Sequence, residues 1–304
     1  MKNKKFLKSL ALLSIFTLSV FNSWAEEYEK MIYNTIELST YEYADNLKLD
    51  FFSAKRAEKK DRPLIIVMHG GGFQGGDKAS TAEVKFCREM ARRGFAMASM
   101  NYRLIRAGKG FDCNTSYEDK LETFREATKD LLSATNFLIE KSAKLKFDTT
   151  RIILLGSSAG AEAVLNTVYM KGSDVFEGIN YGKAKFAGVI SLAGAIINMD
   201  EFDDNVIPTI AIHGEKDDLV PYGKAPHHFC SENTPGYFIL YGAEPITNRL
   251  KEKGLSYMLL HDPRGNHGWS NWGYNYAQDI ANFINKAIIK GEKVQIDKEI
   301  IKRD

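Results

Sequence analysis

The sequence carries little net charge for its size. Its 41 lysines and arginines are nearly balanced by 39 aspartates and glutamates, so the formal net charge of the 304 residues is +2. No basic stripe stands out, and nucleic acid is therefore not expected as a partner. The chain also lacks internal repeats and low-complexity linkers, while its 44% hydrophobic content can bury a full core. We expect one globular domain over residues 26–304.

Long hydrophobic runs are scarce, with one exception at the amino terminus. Residues 10–21 form an apolar stretch of signal-peptide length behind the basic residues 2–5. This stretch is too short to span a membrane comfortably, and small residues precede a cleavage site after Ala25. No cysteine lies near that site, which disfavours a lipid anchor. The pattern predicts a signal peptide over residues 1–25 and export to the periplasm or the exterior, with an uncleaved anchoring helix as the alternative.

The most informative pattern is a serine between two glycines. An apolar run at 152–155 leads into Gly156-x-Ser158-x-Gly160, and a helix-like stretch follows. A nucleophile elbow has this strand–turn–helix order. The turn holds the serine hydroxyl out in a strained backbone conformation, and glycines allow the neighbouring chain to come close. We predict Ser158 as a nucleophile, with an ordinary Gly-Ser turn as the alternative.

A second glycine motif follows an earlier apolar strand. His69-Gly70-Gly71-Gly72-Phe73 comes directly after residues 63–68. Acyl transfer builds negative charge on the carbonyl oxygen, so N–H groups must already point at that position. We predict the amides of Gly71, Gly72 and Ala159 as the oxyanion-hole donors. A phosphate-binding loop over 70–76 is disfavoured, because the Gly-Lys-Ser/Thr ending and an acidic ribose partner are missing.

Chain order suggests the partners of the serine. In a fold with such an elbow, an acid and then a histidine follow the nucleophile. A carboxylate at the carboxyl end of a strand faces the ligand in an open α/β sheet. Asp217 follows the apolar strand at 207–213 and is the preferred acid, with Asp218 in reserve. His267 lies in a glycine-flanked loop and is the preferred base, whereas we interpret His261 as a structural residue at a strand end.

These motifs resemble those of the α/β-hydrolase superfamily, and specifically of serine esterases with an HGGG oxyanion loop. The resemblance runs from about residue 43 to residue 287. Three further segments are similar to those of such esterases: Asn101-Tyr102-Arg103, His213-Gly214-x-x-Asp217-x-x-Val220-Pro221 and Asn266-His267-Gly268.

The resemblance implies a triad mechanism. Ser158 would attack an ester carbonyl, His267 would take and return its proton, and Asp217 would fix the imidazole. One position departs from the family pattern. Glu162 stands where a second glycine or small residue is common, which makes the start of the helix more polar than usual.

Strand and helix patterns alternate along the chain. They predict an α/β-hydrolase fold with a mainly parallel eight-stranded sheet and helices on both faces. The strands are expected at 36–38, 47–52, 64–68, 95–100, 152–155, 186–192, 207–212 and 256–260, the first two as an antiparallel edge hairpin. The helices are expected at 80–93, 117–141, 159–169, 245–253 and 274–287. Little or no lid fits between Ser158 and Asp217, and the charged tail at 290–304 is interpreted as a solvated helix or a frayed end.

Cysteine is rare, and each of the three has an interpretation. Cys87 has the helical spacing of a buried residue and is predicted to be a small core hydrophobe. Cys113 and Cys230 lie in two loops, 105–116 and 222–242, that are expected to shape the pocket. In an oxidising compartment these two could be joined, and the sequence leaves both states open. The pair His227-His228 lacks the ligand spacing of a metal site and is interpreted as surface-loop histidines.

Together, the motifs predict a secreted serine esterase that cleaves carboxylic esters of small acyl groups. No cofactor and no metal are expected, and the partner would be a small-molecule or polysaccharide-linked ester, with no stable membrane anchor. Acetyl or feruloyl esters of polysaccharides are suggested by family analogy alone. A lipase or a peptidase of the same fold is an alternative, and a non-catalytic hydrolase-fold binding module is an alternative of another class.

A histidine base predicts a pH-dependent activity. Hydrolysis should rise with pH through the range in which histidine loses its proton, about 6 to 7. The measurement is a profile of kcat/KM for a p-nitrophenyl ester. A rate that stays flat between about pH 5 and 9 would contradict a histidine base.

Overall fold

A large β-sheet runs through the middle of the molecule. The computed structural model describes residues 28–55, 57, 61–202 and 206–302, and the predicted signal peptide lies outside these residues. Within the described part, nine strands form one sheet in the order β1-β2-β4-β3-β5-β6-β7-β10-β11, and β8 and β9 form a separate antiparallel pair. The strands are β1 (Ile36–Ala44), β2 (Leu47–Ala54), β3 (Arg62–Met68), β4 (Ala96–Met100), β5 (Phe147–Ser157), β6 (Gly188–Leu192), β7 (Thr209–Gly214), β8 (Lys224–Pro226), β9 (Ile239–Tyr241), β10 (Tyr257–Asp262) and β11 (Gln295–Glu299).

The sheet is parallel except at one edge. β1 pairs antiparallel with β2, and β2 pairs antiparallel with β4, whereas the pairings from β4 through β3 to β11 are parallel. The predicted edge hairpin is therefore confirmed. The carboxyl ends of β3, β5, β7 and β10 meet at one edge of the sheet, which is where ligands bind in open α/β folds.

The predicted number of eight strands is wrong, because the tail contains a ninth. β11 pairs parallel with β10, from Tyr257 opposite Gln295 to His261 opposite Glu299. Four of its five residues are polar or charged, a composition that an edge strand tolerates because one of its sides has no strand neighbour. Ile296 and the buried Ile300 pack onto the core, so this part of the tail is neither a helix nor a frayed end.

Helices cover both faces of the sheet, as predicted. The α-helices are α1 (Thr81–Arg92), α2 (Tyr117–Glu140), α3 (Ser142–Leu145), α4 (Ala159–Tyr169), α5 (Ala243–Glu252), α6 (Trp269–Trp272) and α7 (Ala277–Phe283). The predicted last helix is divided: a 3-10 turn (Gly273–Tyr276) precedes α7 and a π-helix (Ile284–Ile289) follows it. Side chains of α2, α4 and α5 belong to one core, and those of α1 and α7 belong to the other.

The central strands are buried on both faces. Along β3, Leu64, Ile66 and Met68 belong to the core with α2 and α4, while Ile65 and Val67 belong to the core with α1 and α7. This alternation follows from the two-residue period of a strand. Because each face has its own helices, the strand reads as a continuous apolar run in the sequence. None of the helices in the described ranges is long and apolar enough to cross a membrane.

A disulfide joins the two loops expected to shape the pocket. Cys113 and Cys230 are bonded across a sequence separation of 117 residues, and Cys87 is a buried free thiol, as predicted. The segment 222–242 is more regular than expected, since it contains β8, β9 and a 3-10 turn (His227–Phe229).

The interpretation of His227 and His228 as surface histidines is wrong. His227 is fully buried, and His228 is partly buried. The ring of His227 lies between those of Phe111 and Phe238, at centroid distances of 5.2 Å and 5.4 Å. The disulfide holds this segment against the loop that carries Phe111. Contacts with Phe111 and Phe238 therefore bury His227 although it is a polar residue.

Removing the disulfide is expected to destabilise the fold. The bond closes a long loop, and loss of a bond of this kind costs about 2–5 kcal/mol in the free energy of unfolding. The double variant Cys113→Ser/Cys230→Ser should unfold at a lower urea concentration than the wild type. A reductant should shift the midpoint of the wild type in the same direction and leave that of the variant unchanged.

Thiol labelling of the unreduced, denatured chain provides the control. One reactive thiol per chain, that of Cys87, is expected before reduction. Two or more reactive thiols would contradict the disulfide.

Candidate active site

Ser158 occupies a sharp turn between β5 and α4. Its φ of 51° and ψ of −122° lie outside the regions that non-glycine residues favour. The flanking glycines are required by close packing: a Cβ on Gly156 would lie 2.2 Å from the carbonyl oxygen of Gly160, and a Cβ on Gly160 would lie 2.2 Å from that of Met68. The turn thus has the geometry of a nucleophile elbow.

The structure brings the three predicted triad residues together. Ser158 Oγ lies 2.8 Å from His267 Nε2, and His267 Nδ1 lies 2.7 Å from Asp217 Oδ2. Asp217 follows β7 and His267 follows β10, so neighbouring strands position both. A carboxylate only accepts hydrogen bonds, so Nδ1 carries the proton and Nε2 is left to accept the serine proton.

Asp217 is fixed by more groups than the sequence indicated. Its Oδ1 accepts hydrogen bonds from the amides of Leu219 and Val220, at 2.9 Å and 3.0 Å. Nε2 of the buried His213 lies 3.1 Å from Oδ2. Burial alone would raise the pKa of the Asp217 carboxyl, but hydrogen bonds from His213 and His267 outweigh it and hold the pKa below its ordinary value. The carboxylate therefore stays ionised and oriented toward His267.

His213 has no role in the prediction from sequence, which prefers Asp217 to Asp218. Asp217 is the aspartate whose carboxylate contacts His267. His213 is the fourth residue before Asp217 and lies at the end of a buried strand. This spacing is the sequence pattern that could have indicated its contact with Asp217. The reserve candidate Asp218 is exposed. His261 bonds Glu215 Oε1 through Nδ1 at 2.7 Å, with its Nε2 3.2 Å from Asp297 Oδ1. This is the structural role predicted for His261.

The glycine loop after β3 borders the same cleft as His267. Gly71 and Gly72 have φ values of +113° and +60°, which glycine adopts readily. A Cβ on Gly71 would lie 2.3 Å from the carbonyl oxygen of Gly75. The Tyr102 hydroxyl donates to the carbonyl of His69 at 2.9 Å, and the two rings stack at 4.4 Å. These contacts hold the start of the loop in place, and Gly70, Gly71 and Gly72 border the cleft.

The glycine loop, Ser158 and His267 border one cleft of about 660 Å³. Its walls combine residues of the glycine loop, the start of α4, the segment after Asp217, the disulfide-linked loops and the two hydrogen-bonded side chains: Gly70, Gly71, Gly72, Ala159, Glu162, Leu219, Val220, Phe111, His228, Ser158 and His267. In the described part of the chain, no group of three or more His, Cys, Asp or Glu side chains is arranged to hold a metal ion.

Glu162 is the unusual member of this wall. It is almost completely buried, and His227 Nε2 lies 3.6 Å from its Oε1. Burial raises the pKa of the Glu162 carboxyl to about 8; the positive charge of Lys120 acts against the rise and the negative charge of Asp217 adds to it. At neutral pH the carboxyl is therefore mainly protonated.

Comparison with known proteins connects this site to one family and one fold. Residues 49–204, just over half of the chain, match the model of the BD-FAE family. Esterase B1 of Culex pipiens is 29% identical over 120 residues, 40% of this chain and 21% of that protein. Gut esterase 1 of Caenorhabditis elegans is 29% identical over 138 residues, 42% of this chain and 22% of that protein. The aligned segments thus span about a fifth of the length of these curated relatives.

Solved structures show the same architecture. The native esterase Est2 of the planctomycete Thermogutta terrifontis matches with a TM-score of 0.56 at 20% sequence identity, covering 82% of this chain and 91% of that chain. Its butyrate-bound form matches with a TM-score of 0.57 at 19% identity, covering 86% and 96%. The predicted α/β-hydrolase fold is therefore confirmed.

The raised pKa of Glu162 predicts that the stability of the fold falls with rising pH. Above the ordinary carboxyl pKa of about 4.3 the unfolded chain loses a proton, which the folded chain keeps up to about pH 8. In that window the free energy of unfolding should fall by about 1.4 kcal/mol per pH unit from this group alone. Glu162→Gln removes the contribution, so its stability should depend less on pH.

Urea unfolding of both proteins at several pH values between about 5 and 8 tests this. The readout is the difference between the two slopes, since other groups titrate equally in both proteins. Parallel slopes would contradict the protonated state of Glu162.

Proposed function

The chain belongs to the BD-FAE family, and on this basis we propose that it is a serine esterase that cleaves carboxylic esters of small acyl groups. The observation that carries the proposal is the hydrogen-bonded series from Ser158 through His267 to Asp217. This is the order of nucleophile, base and acid that ester hydrolysis at a nucleophile elbow requires.

The proposed reaction proceeds through an acyl-enzyme. Ser158 Oγ attacks the ester carbonyl while its proton passes to His267 Nε2. The tetrahedral intermediate then breaks its bond to the alcohol oxygen, which takes the proton from His267. Water attacks the acyl-enzyme in the same way, with His267 again accepting and returning a proton, so that the acid leaves and Ser158 is restored.

The oxyanion that forms in both steps needs hydrogen-bond donors. We assign this role to the amides of Gly71, Gly72 and Ala159. Ala159 is the first residue of α4, and the first amides of a helix have no intrahelical acceptor. The positive backbone angles of the two glycines turn the loop toward the cleft. Such donors are worth about 10²- to 10³-fold in turnover.

The cleft favours compact substrates. Its volume of about 660 Å³ lies within the usual range for small-molecule sites. The Thermogutta esterase is described in propionate-bound and butyrate-bound forms, and we extend a preference for short acyl groups to this chain. Acetyl or feruloyl groups on polysaccharides are the natural substrates that we propose, on family analogy.

The proposed site of action is outside the cytoplasm. We propose that residues 1–25 are removed as a signal peptide and that residues 26–304 act as a single domain in the periplasm or the exterior. The disulfide between Cys113 and Cys230 supports this location, since such bonds persist in oxidising compartments.

Hydrolysis of p-nitrophenyl esters of increasing acyl length tests the proposal. The wild type should prefer acetate and butyrate. Ser158→Ala should reduce kcat by about 10⁴-fold or more, because the nucleophile is lost while the oxyanion donors remain. The release of p-nitrophenol measures both effects.

The neighbouring serine provides a matched control. The Ser157 hydroxyl donates its proton to the carbonyl of Ser270 at 2.9 Å, not to His267, so Ser157→Ala should keep activity within a few-fold of the wild type. Highest activity on long chains would point to a lipase. No hydrolysis of any ester by the wild type would overturn the esterase proposal in favour of a binding role.

A further inference from the structure

The cleft is bordered by one carboxyl group that the proposed reaction does not use. Glu162 lies on α4, four residues after Ser158, and its amide donates to the carbonyl of Ser158 at 2.9 Å. Its side chain is 2% exposed and borders the cleft. Its Oε1 has no hydrogen-bond partner among the described residues. Because a buried polar atom without a partner is unfavourable, this position calls for an explanation.

Two imidazoles lie on the same side of the cleft. His227 Nε2 is 3.6 Å from Glu162 Oε1, which is too far for a hydrogen bond. Neither ring nitrogen of His227 has a partner in the part of the chain that the structure describes. His228 borders the cleft, and its ring centroid is 4.0 Å from that of His227. We call Glu162, His227 and His228 the Glu162 cluster.

The backbone that carries the two imidazoles is strained. His228 and Phe229 have φ values of 54° and 51°, in a region that non-glycine residues rarely adopt. Such strain is concentrated at functional sites. The segment is held by the amide of His228, which donates to the carbonyl of Leu219 at 3.0 Å, and by the disulfide of the adjacent Cys230. These contacts keep His228 at the cleft wall.

The cluster is polar but uncharged at neutral pH. Burial raises the pKa of Glu162 to about 8, lowers that of His228 to about 4 and lowers that of His227 well below its ordinary value. Lys120 is the nearby cation, but its Nζ donates to the carbonyl of Gly236 and lies over the rings of Phe111 and Phe238. Lys120 is therefore already engaged in other contacts and does not neutralise a substrate carboxylate at the cluster.

We propose that Glu162 and His228 bind an uncharged hydroxyl group of the substrate, so that the enzyme prefers esters that carry a hydroxyl near the scissile bond. The inference rests on the proposed esterase function. A hydroxyl both donates and accepts, so it is complementary to a protonated carboxyl and to a neutral imidazole. A methyl group in its place would leave both groups unpaired, which is how sites of this kind reject analogues.

Two pairs of esters that differ only by hydroxyl against methyl test the proposal. In methyl 3-hydroxybutyrate and methyl 3-methylbutyrate the difference lies in the acyl part. In 2-hydroxyethyl acetate and propyl acetate it lies in the alcohol part. Values of kcat/KM come from acid release at about pH 7. The wild type should prefer the hydroxyl member of at least one pair by about tenfold, and that pair identifies which side of the ester contacts the cluster.

Variants of the cluster connect the preference to its residues. Glu162→Met should bring the ratio of kcat/KM for the hydroxyl ester to kcat/KM for its methyl counterpart close to one. Glu162→Gln keeps a neutral donor and acceptor and should retain most of the preference for the hydroxyl ester. His228→Phe should lower the same ratio without replacing Glu162. Glu83→Gln is the matched control, since Glu83 is a buried carboxyl that borders the cleft but accepts a hydrogen bond from the Tyr274 hydroxyl at 3.3 Å. Its ratio should equal that of the wild type.

Two results would overturn the inference. The first is equal kcat/KM within both pairs for a wild type that hydrolyses all four esters, an outcome that leaves the esterase proposal intact. The second is a hydroxyl preference that survives in Glu162→Met. Failure of the wild type to hydrolyse these esters and p-nitrophenyl acetate alike would instead overturn the esterase proposal, and the inference with it.

Discussion

The parallel alignment of the central strands is the constraint on which the site depends. The carboxyl ends of β3, β5, β7 and β10 share one edge, and the glycine loop, Ser158, Asp217 and His267 each follow one of them. Strand register brings these groups together: Met68 lies opposite Gly156, and Gly214 lies opposite Asp262. Ser158 and His267 are 109 positions apart in the chain, yet they lie within hydrogen-bond distance, because a sheet buried on both faces holds its strands rigidly.

Asp217 and Glu162 are both buried, but they differ in whether hydrogen bonds offset the burial of the carboxyl group. Asp217 is buried but accepts hydrogen bonds from two amides and an imidazole, and so it stays ionised. Glu162 is buried to the same degree, yet its Oε1 has no partner in the described residues, and so it stays protonated near neutral pH. Two buried carboxyls near one cleft are thus driven to opposite charge states by their surroundings. The ionised one bonds the His267 imidazole, and the neutral one is suited to bind a neutral polar group.

The sequence predicts those features of the structure that depend on a few neighbouring residues, such as the glycine turns and the apolar strands. The elbow at Ser158 and the loop at Gly71 and Gly72 are readable because close packing and positive φ values demand glycine. The strands β3 and β5 can be predicted from their apolar runs, because helices cover both faces of the sheet at these strands. β11 was missed because an edge strand carries polar residues, and the burial of His227 was missed because it depends on a disulfide and on two distant phenylalanines. Glu162 was noticed as a departure from the family pattern, but the charge state of its carboxyl follows from packing that no local pattern encodes.

The proposed reaction depends most directly on Ser158 being an activated nucleophile. Treatment with paraoxon followed by intact-mass measurement and peptide mapping tests this, because an organophosphate phosphorylates a serine whose proton a neighbouring base removes. We predict one diethylphosphoryl group per chain on the peptide that contains Ser158, and none on Ser158→Ala. An unmodified wild type, or a group on another residue that persists in Ser158→Ala, would contradict the account.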